Sequence, residues 1–386
     1  MIKYHGTALN ISYPMIARVE KNHFSSRILK NSMFVTDAIP KLMIGYKAII
    51  SGQKSITEQI SGASIPLVYG VEGLENLKEG DVLLIEPNGL INVLYQKASN
   101  DNAILLTENC NASCIMCSQP MENSEAVTNN INEKLIKLMN KNTKFLGITG
   151  GEPTTAKSEL VKTIIACKKY LPNTGINLLT NGILLEDFEY VKDIASIGHP
   201  NLIFQIPIYS DTDTEHNKIV GKDAFYKTIK GLHNLALFRQ KIELRTVIFS
   251  LNYKRLPGIA EFIYRNFPFV AHVALMGLEV IHRARENIKL LWIDPHLYGN
   301  ELFKAVQILH RADINVSIYN HQLCIIPKSL RQFARKSISD WKRGYPSICE
   351  ECAVRNDCGG VFTTSEKWLS KYLQPIKMGA EEINNN

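Results

Sequence analysis

The chain has 386 residues, of which 45% are hydrophobic and 21% charged, a composition typical of a soluble protein with room for two or three domains. The formal net charge of +7 is not concentrated in one basic run and therefore does not favour a nucleic-acid partner. No apolar stretch has the character of a signal peptide or the length of a membrane span, so we expect a cytoplasmic protein that does not bind a membrane.

The first region, residues 1–99, is rich in short β-like runs. Its clearest runs are 81–86 and 90–95, which Pro87-Asn88-Gly89 separates. Because Asn-Gly between two β-prone segments favours a hairpin, we predict a small β-rich domain, either a barrel or a sandwich. We expect this domain to pack against the following one or to mediate association; the alternative is that it binds a peptide along a free strand edge.

Strands and helices alternate in the second region, residues 100–312. Regular β-then-α alternation predicts parallel strands joined by right-handed crossovers. Six such units make an α/β fold, an open, partial (β/α)6 barrel of the TIM type, in which the chemistry lies at the C-terminal ends of the strands. The predicted strands are 103–107, 145–149, 175–180, 202–209, 242–249 and 270–276, and the predicted helices are 129–141, 157–171, 184–197, 224–239, 255–266 and 297–312.

A cysteine-rich loop leaves the end of the first predicted strand and carries Cys110, Cys114 and Cys117. The eight cysteines fall mostly in two clusters, which favours metal binding in a reducing compartment over a disulfide framework. Three thiolates at this spacing can hold one corner of a [4Fe–4S] cube and leave the fourth iron without a protein ligand. The alternative is zinc, although zinc favours four protein ligands and no fourth Cys or well-spaced His follows nearby.

The second predicted barrel strand runs directly into Gly150-Gly151-Glu152-Pro153. A CxxxCxxC loop followed by a strand that ends in Gly-Gly-Glu-Pro resembles the radical SAM superfamily, which binds S-adenosylmethionine (SAM). The resemblance implies a SAM-binding [4Fe–4S] cluster on the three cysteines, and the glycines permit close backbone approach. It also implies that the Gly150–Pro153 segment, with the Glu152 carboxylate, holds the amino group of SAM. The predicted catalytic residues are Cys110, Cys114, Cys117 and Glu152. Met116 stands where the family usually has an aromatic residue, and its flexible side chain can fill the same space.

Polar residues at two further strand ends are predicted SAM contacts. Leu179-Thr180-Asn181-Gly182 resembles the Thr-Asn-Gly turn of the family, and the residues after the fourth strand usually present a hydroxyl or an acid to the ribose. Asn181, Ser210 and Asp211 are therefore the candidates, with Asn252 a weaker one. The alternative for Asn181-Gly182 is a turn that only needs positive φ.

Arg245 interrupts an apolar barrel strand, so its burial requires an anion, and the SAM carboxylate would serve. The alternative is an ion pair with an acid such as Glu243, which we expect to lie on the opposite face of the strand. Two other residues are less informative. We expect His216 in a polar, exposed loop, with a possible role near substrate as the alternative, and Cys167 as a buried core thiol.

A second cysteine cluster lies in residues 313–375, where a strand-like run 314–319, Cys324 and a predicted helix over 327–342 precede Cys349, Cys352 and Cys358. Four thiolates suit either a second [4Fe–4S] cluster or structural zinc. The run resembles the auxiliary-cluster region of SPASM and twitch enzymes, which favours iron–sulfur. If Cys324 is not a ligand, one iron would be open to substrate. We predict that residues 376–386 are a disordered tail.

Three phrases resemble the His-Xaa-Ser system radical SAM maturase family: Asn109–Pro120, Ile206–Asp211, and Ser337–Lys342 followed by Cys349–Gly360. The resemblance spans about residues 80–365. It implies a maturase for a ribosomally made peptide with His-Xaa-Ser repeats, reduced by a flavodoxin- or ferredoxin-type donor and acting beside a second radical SAM maturase. Two alternatives remain: a radical SAM enzyme for a small molecule or nucleotide, and a zinc-stabilised, non-catalytic binding protein.

Overall fold

The computed structural model describes residues 2–21, 31–36, 45–59, 64–119 and 131–377. The predicted β-rich N-terminal region has the strands β1 (Lys3–His5), β2 (Thr7–Leu9), β3 (Met15–Glu20), β4 (Ser32–Val35), β5 (Ala48–Ser51), β6 (Leu67–Tyr69), β7 (Val82–Ile85) and β8 (Leu90–Tyr95). They form a mixed sheet in the order β1-β8-β7-β3-β4-β5-β6-β2. The predicted hairpin is β7 and β8, which pair antiparallel.

This sheet closes into a small barrel. β1 and β2 pair with β8 and β6, at opposite ends of the strand order, yet only Gly6 separates them in the chain. A Cβ at Gly6 would come within 2.6 Å of the Val71 side chain, so the close approach requires glycine. The described strands therefore leave no continuous free edge along which a peptide could add, contrary to the alternative role considered for this region.

The N-terminal barrel packs against the rest of the chain, as expected. In β3, Met15, Ala17 and Val19 face the barrel core, whereas Ile16 faces the neighbouring helix. Nε of Arg18 donates a hydrogen bond to the carbonyl of Leu138 at 3.0 Å, at the C-terminal end of that helix.

The second large sheet is formed by the region after residue 100 and is parallel throughout, in the order β16-β15-β14-β13-β12-β11-β10-β9. Its two edge strands, β9 and β16, do not pair with each other, as in an open barrel. All six predicted strands are present within one or two residues of the expected bounds. Two short strands from the region after residue 312 also join this sheet. The strands are β9 (Ala103–Thr107), β10 (Phe145–Gly150), β11 (Gly175–Leu179), β12 (Leu202–Pro207), β13 (Lys241–Ile248), β14 (His272–Gly277), β15 (Val316–Tyr319) and β16 (Ala334–Arg335).

The six predicted barrel helices also form. Capping residues at the helix ends set their limits, as α4 illustrates. Asp187 caps α4 by accepting from the N–H of Tyr190, and Gly198 ends it at φ 64°. The helices are α1 (Ile56–Gln59), α2 (Asn132–Leu138), α3 (Lys157–Tyr170), α4 (Phe188–Ile197), α5 (Asp213–Val220), α6 (Phe225–Leu237), α7 (Leu256–Asn266), α8 (His282–Glu286), α9 (Ile288–Leu291) and α10 (Gly299–Arg311). Short 3₁₀ turns occur at Leu74–Asn76, Pro153–Thr155, Ile183–Glu186, Tyr253–Arg255, Pro295–Tyr298, Lys328–Phe333, Ser347–Cys349 and Thr363–Trp368.

The predicted helix over 327–342 is wrong. This segment is a 3₁₀ turn, Lys328–Phe333, that leads into β16. The chain then forms a two-stranded antiparallel ribbon from β17 (Arg343–Gly344) and β18 (Val361–Phe362). Pairing of β16 with β15 competes with the helix and satisfies backbone groups that a helix would otherwise bond internally.

Three expectations fall partly outside the described residues. These are the start of the helix predicted at 129, Pro120 in one family phrase, and the tail from 378 to 386. Ile376 is described, and its carbonyl accepts a hydrogen bond from the N–H of Ala353 at 2.9 Å. Among the described helices, none is both long and apolar enough to cross a bilayer.

Candidate active site

A cavity of about 300 Å³ opens at the C-terminal ends of the barrel strands, where the chemistry is expected. The cysteine loop and the Gly150–Glu152 segment form one side, and β12 to β14 form the other. Residues from the region after residue 312 complete the wall. The polar and sulfur-bearing lining residues include Cys110, Cys114, Met116, Cys117, Thr149, Glu152, Thr180, Asn181, Gln205, Tyr209, Arg245, Met276, Glu279 and Asn320.

The cysteine loop is held from behind by α5. The N–H groups of Ser113 and Ile115 donate to the carbonyls of Val220 and Ile219, both at 3.0 Å. The side-chain amide of Asn287 donates to the carbonyl of Ile115 at 2.9 Å. Two elements distant in sequence therefore fix the loop that presents the three thiols.

Met116 packs in the small apolar cluster behind the loop, with Ile219 and Phe249, and is 6% exposed. It also lines the cavity. The side chain thus occupies space between the loop and the barrel, in the way expected for a replacement of an aromatic residue.

The three thiols fit a positively charged group. Burial and the neighbouring thiols raise the pKa of Cys114 to about 12, and burial also raises the pKa of Cys110. An iron–sulfur cluster bonded to these sulfurs would offset the cost of placing thiolates together. Within the described parts of the chain, no three Cys, His, Asp or Glu side chains meet around a point suited to one metal ion.

Gly150 and Gly151 let β10 approach the cysteine loop closely. Gly150 has a positive φ of 153°, and a Cβ there would overlap the carbonyl of Thr107. The N–H of Gly151 donates to that carbonyl, and the N–H of Glu152 donates to the carbonyl of Asn109, both at 2.8 Å. The glycines are required because backbone from the neighbouring loop fills the space where side chains would stand.

The Glu152 carboxylate is almost fully buried and joins two loops. Oε1 accepts hydrogen bonds from the N–H of Thr154 at 2.9 Å and from the Thr154 and Thr180 hydroxyls, both at 2.6 Å. Oε2 accepts from the N–H of Asn181 at 2.6 Å. Burial raises the pKa of this carboxyl, and the donors oppose the rise. Oε2 accepts only one of these hydrogen bonds and can accept another. Its contact with the amino group of SAM stays a prediction.

Asn181 lines the cavity, as expected of a ligand contact. Its amide donates to Oδ1 of Asn111 at 2.7 Å, and its own Oδ1 accepts from the N–H of Ile183. Gly182 has φ 77°, so the segment is also the positive-φ turn of the alternative interpretation. The two interpretations describe the same geometry.

The structure does not bring Ser210 or Asp211 to the cavity. Ser210 is fully buried and contacts Asp211 and Thr212. Asp211 accepts two hydrogen bonds from Arg255, at 2.6 and 2.9 Å. This bidentate pair turns the carboxylate towards the helix after β13, which a motif at the end of β12 does not indicate. The side-chain amide of Asn252 is likewise occupied within the protein, because it donates hydrogen bonds to the carbonyls of Tyr209 and Val247.

Arg245 lines the cavity, but the expectation about Glu243 is wrong. Residues two apart in a strand share a face, and Nε of Arg245 donates to Oε1 of Glu243 at 2.7 Å. The second carboxylate oxygen of Glu243 bonds Nδ1 of His272 at 3.0 Å. The two Nη groups of Arg245 have no protein acceptor among the described residues, so they remain available to an anion in the cavity.

His216 does not lie in an exposed loop. It belongs to α5, is 1% exposed, and accepts a hydrogen bond at Nδ1 from the N–H of Tyr209 at 3.3 Å. Burial lowers its pKa to about 4. Cys167 is a fully buried core thiol, as expected.

Several cavity residues were not singled out from the sequence. They are Thr180, Gln205, Tyr209, Met276, Glu279, Asn320 and Phe362. Gln205 had a usable signal, since it interrupts an apolar strand just as Arg245 does. Glu279, which pairs with Lys342 at 3.0 Å, had none, because its partner lies 63 residues away.

The second group of cysteines also comes together. Cys324, Cys349, Cys352 and Cys358 line one small enclosed cavity. The N–H groups of Gly360 and Ile376 point to the sulfurs of Cys358 and Cys352, at 3.5 and 3.4 Å, a pattern that stabilises thiolates. Cys324 therefore lies with the other three. Val361 lines this cavity and the next residue, Phe362, lines the larger one, so the two cavities are close.

An open parallel barrel with three thiols and a Gly-Gly-Glu-Pro loop around one cavity is the architecture of a radical SAM enzyme. Residues 104–263 match the family model of the Radical SAM superfamily, so this part of the chain is similar to that superfamily.

Two relatives and one solved structure illustrate the range of similarity. A probable GTP 3′,8-cyclase of Saccharolobus islandicus is 31% identical over 164 residues, 41% of this chain and 49% of that protein. A PqqA peptide cyclase of Granulibacter bethesdensis is 28% identical over 272 residues, 61% and 70% of the two chains. SuiB of Streptococcus suis, bound to S-adenosylmethionine, superimposes with a TM-score of 0.48 at 14% identity over 58% of this chain and 52% of SuiB. The chain thus spans about half the length of the GTP 3′,8-cyclase relatives.

Proposed function

We propose that this enzyme modifies a ribosomally made peptide of the His-Xaa-Ser type, with SAM as the source of the radical. Cys110, Cys114 and Cys117 would hold a [4Fe–4S] cluster, and the chemistry that this group would supply is the one-electron cleavage of SAM into methionine and a 5′-deoxyadenosyl radical. The observation that carries the radical chemistry is the convergence of these thiols and the Gly150–Glu152 segment on one cavity.

The chain's own residues would bind and orient SAM. The backbone of Gly150–Glu152 and the turn at Asn181 lie beside the thiols, where an amino group can be held. Arg245 lines the same cavity, and its Nη groups, which have no acceptor in the part of the chain that the structure describes, match a carboxylate. The opposite ends of an amino acid moiety are thereby recognised from two sides of the barrel.

A peptide substrate is supported by the length of the match to the PqqA peptide cyclase. The match to the PqqA peptide cyclase extends over 272 residues, which is more than the radical SAM barrel itself, whereas the GTP 3′,8-cyclase match covers 164 residues. A nucleotide substrate is the second candidate, because those 164 residues are slightly more similar. A zinc-stabilised, non-catalytic protein is not favoured by the family match over residues 104–263.

We further propose a second [4Fe–4S] cluster on Cys324, Cys349, Cys352 and Cys358. The four thiols line one cavity, and their arrangement in the sequence resembles the auxiliary-cluster region of SPASM and twitch enzymes. With Cys324 included, the protein could supply all four ligands, so this cluster would have no iron open to substrate. Its position near the larger cavity suits an electron acceptor for the substrate. A flavodoxin- or ferredoxin-type donor, a second radical SAM maturase and a cytoplasmic location complete the proposal.

The test is mass spectrometry of a His-Xaa-Ser repeat peptide after anaerobic incubation with reconstituted protein, SAM and dithionite. The expected result is 5′-deoxyadenosine together with a peptide of changed mass. Deoxyadenosine without a changed peptide would overturn the peptide substrate but leave SAM cleavage standing. GTP is the parallel substrate, and its conversion would favour the second candidate.

Iron and sulfide analysis tests the two clusters separately. We expect about eight irons per chain in the wild type and about four when Cys110, Cys114 and Cys117 are replaced by Ala, because each cluster holds four. Replacing Cys349, Cys352 and Cys358 should also leave about four. Cys167→Ser is the matched control, since this thiol belongs to neither group. Zinc in the C-terminal site would contradict the proposed second cluster and leave the proposed SAM-binding cluster unaffected.

A further inference from the structure

The side-chain amide of Gln205 is largely buried and has no hydrogen-bond partner among the residues that the structure describes. Gln205 lies in β12, is 6% exposed, and forms part of the wall of the large cavity. Neither its side-chain oxygen nor its nitrogen bonds to any residue in the described part of the chain. Its polar atoms are not sealed in the core, so their remaining exposure is towards the cavity.

A largely buried amide that makes no bond within the protein adds little to the fold and keeps its donor and acceptor for a ligand. Asn234 offers a direct comparison within this chain. It is also 6% exposed, but its amide donates to the carbonyls of Leu185 and Glu186, at 2.9 and 3.1 Å. The Asn234 amide therefore stabilises the fold, whereas the Gln205 amide makes no corresponding bond among the described residues. Polar groups that do not serve the fold are expected at functional sites.

Gln205 lies deeper in the barrel than the proposed SAM contacts. Its register partners are Leu179 on β11 and Glu243 on β13. In this register Gln205 is level with Leu179 and Thr149, so at the usual rise per residue it lies about 7 Å below Asn181 but only about 3 Å below Gly150. Arg245 pairs with Pro207, two residues beyond Gln205. A ligand that fills the cavity beneath SAM would meet this amide.

We propose that Gln205 binds an amide group of the peptide substrate. A primary amide carries a donor and an acceptor side by side, which matches the N–H and C=O of a peptide unit or a side-chain amide. Glu243, its neighbour on β13, is already bonded to Arg245 and His272, and leaves the Gln205 amide to the ligand. This inference rests on the proposed function, because it takes the substrate to be a peptide.

The experiment compares Gln205→Met, which keeps the side-chain size and removes the amide, with Asn234→Leu. Thermal unfolding and the affinities for SAM and for a fluorescent His-Xaa-Ser peptide are measured on the anaerobically reconstituted full chain. For Gln205→Met we expect an unchanged or higher unfolding temperature, peptide binding about tenfold weaker, and SAM affinity changed less than twofold, since a lost hydrogen bond is worth about that factor. For Asn234→Leu we expect a lower unfolding temperature.

Each of the remaining outcomes would contradict a specific statement of the inference or of the proposed function. A fall in the unfolding temperature of Gln205→Met equal to that of Asn234→Leu would make Gln205 structural. Weakened SAM binding with unchanged peptide binding would assign Gln205 to the SAM site. Unchanged peptide binding overturns the inference alone. A wild type that binds no peptide overturns the proposed function together with the inference.

Discussion

The carboxylate of Glu152 accepts a 2.6 Å hydrogen bond from the backbone N–H of Asn181. Because Glu152 also accepts from the hydroxyl of Thr180, the loop after β10 and the turn after β11 form one unit. The cysteine loop joins the same unit through the N–H of Glu152, which donates to the carbonyl of Asn109. One buried acid thus positions three candidate contacts before any ligand binds, which is the preorganisation that binding sites require.

Glu152→Gln should weaken both the fold and SAM binding. The carboxylate only accepts hydrogen bonds, whereas the glutamine amide would turn an N–H group towards a donor and leave at least one buried bond unmade. We expect the free energy of unfolding to fall by about 2 kcal/mol. Urea unfolding and SAM titration measure the two effects. Glu189→Gln, on the exposed side of α4, is the control and should change neither.

The barrel could be predicted from the sequence because its pattern is local and repeated. Each of β9 to β14 is a short apolar run followed by a helix, so strand order and the cavity end follow from general rules. The cysteine loop and Gly150–Glu152 lie at that end for the same reason. β16 could not be predicted, because a two-residue strand forms only where a neighbouring strand offers its edge.

Side-chain contacts that form only in the folded chain account for the wrong site predictions. Asp211 is held by Arg255, which is far from it in sequence. His216 is covered by Tyr209 and Phe225, which are near it in sequence but contact it only because the chain folds back around α5. The error over Glu243 and Arg245 was different in kind, because strand alternation itself places residues two apart on one face. The sequence rules therefore locate a site better than they assign each side chain within it.

Gly150→Ala should displace the cysteine loop. A Cβ at this position would overlap the backbone carbonyl of Thr107, which cannot move without β9. We expect a loss of about 3 kcal/mol in unfolding free energy and a reduced iron content after reconstitution. Gly70→Ala, where φ is 69° but the nearest atom lies 3.6 Å away, separates the backbone cost from the overlap. It should cost about 1 kcal/mol and keep the iron.

Glu243→Gln should remove a stabilising contribution that depends on pH. Burial opposes ionisation of this carboxyl, but the hydrogen bond from His272 and the charge of Arg245 together lower its pKa below the ordinary 4.5. A carboxyl with a lowered pKa stabilises the fold above its ordinary pKa and loses that effect as pH falls through the lowered value. At pH 7 we expect the variant to be about 2 kcal/mol less stable, with the gap closing below pH 4.5.

Denaturant unfolding at several pH values measures that gap. Glu189→Gln is the matched control, because its pair with Lys192 is exposed and contributes little at any pH. A gap for Glu243→Gln that stayed constant down to pH 3.5 would show that the contribution comes from packing and not from the charge.

His216 should make the fold sensitive to mild acid. Burial lowers its pKa from 6.5 to about 4, so below pH 6.5 the unfolded chain binds a proton that the folded chain refuses. Stability is therefore lost as pH falls from 6.5 towards 4, by about 3 kcal/mol for a shift of this size. His216→Gln keeps an acceptor for the N–H of Tyr209 but cannot titrate in this range. Denaturant unfolding between pH 7 and 4.5 should show a flatter profile for the variant, whereas parallel losses in both proteins would place the acid sensitivity elsewhere.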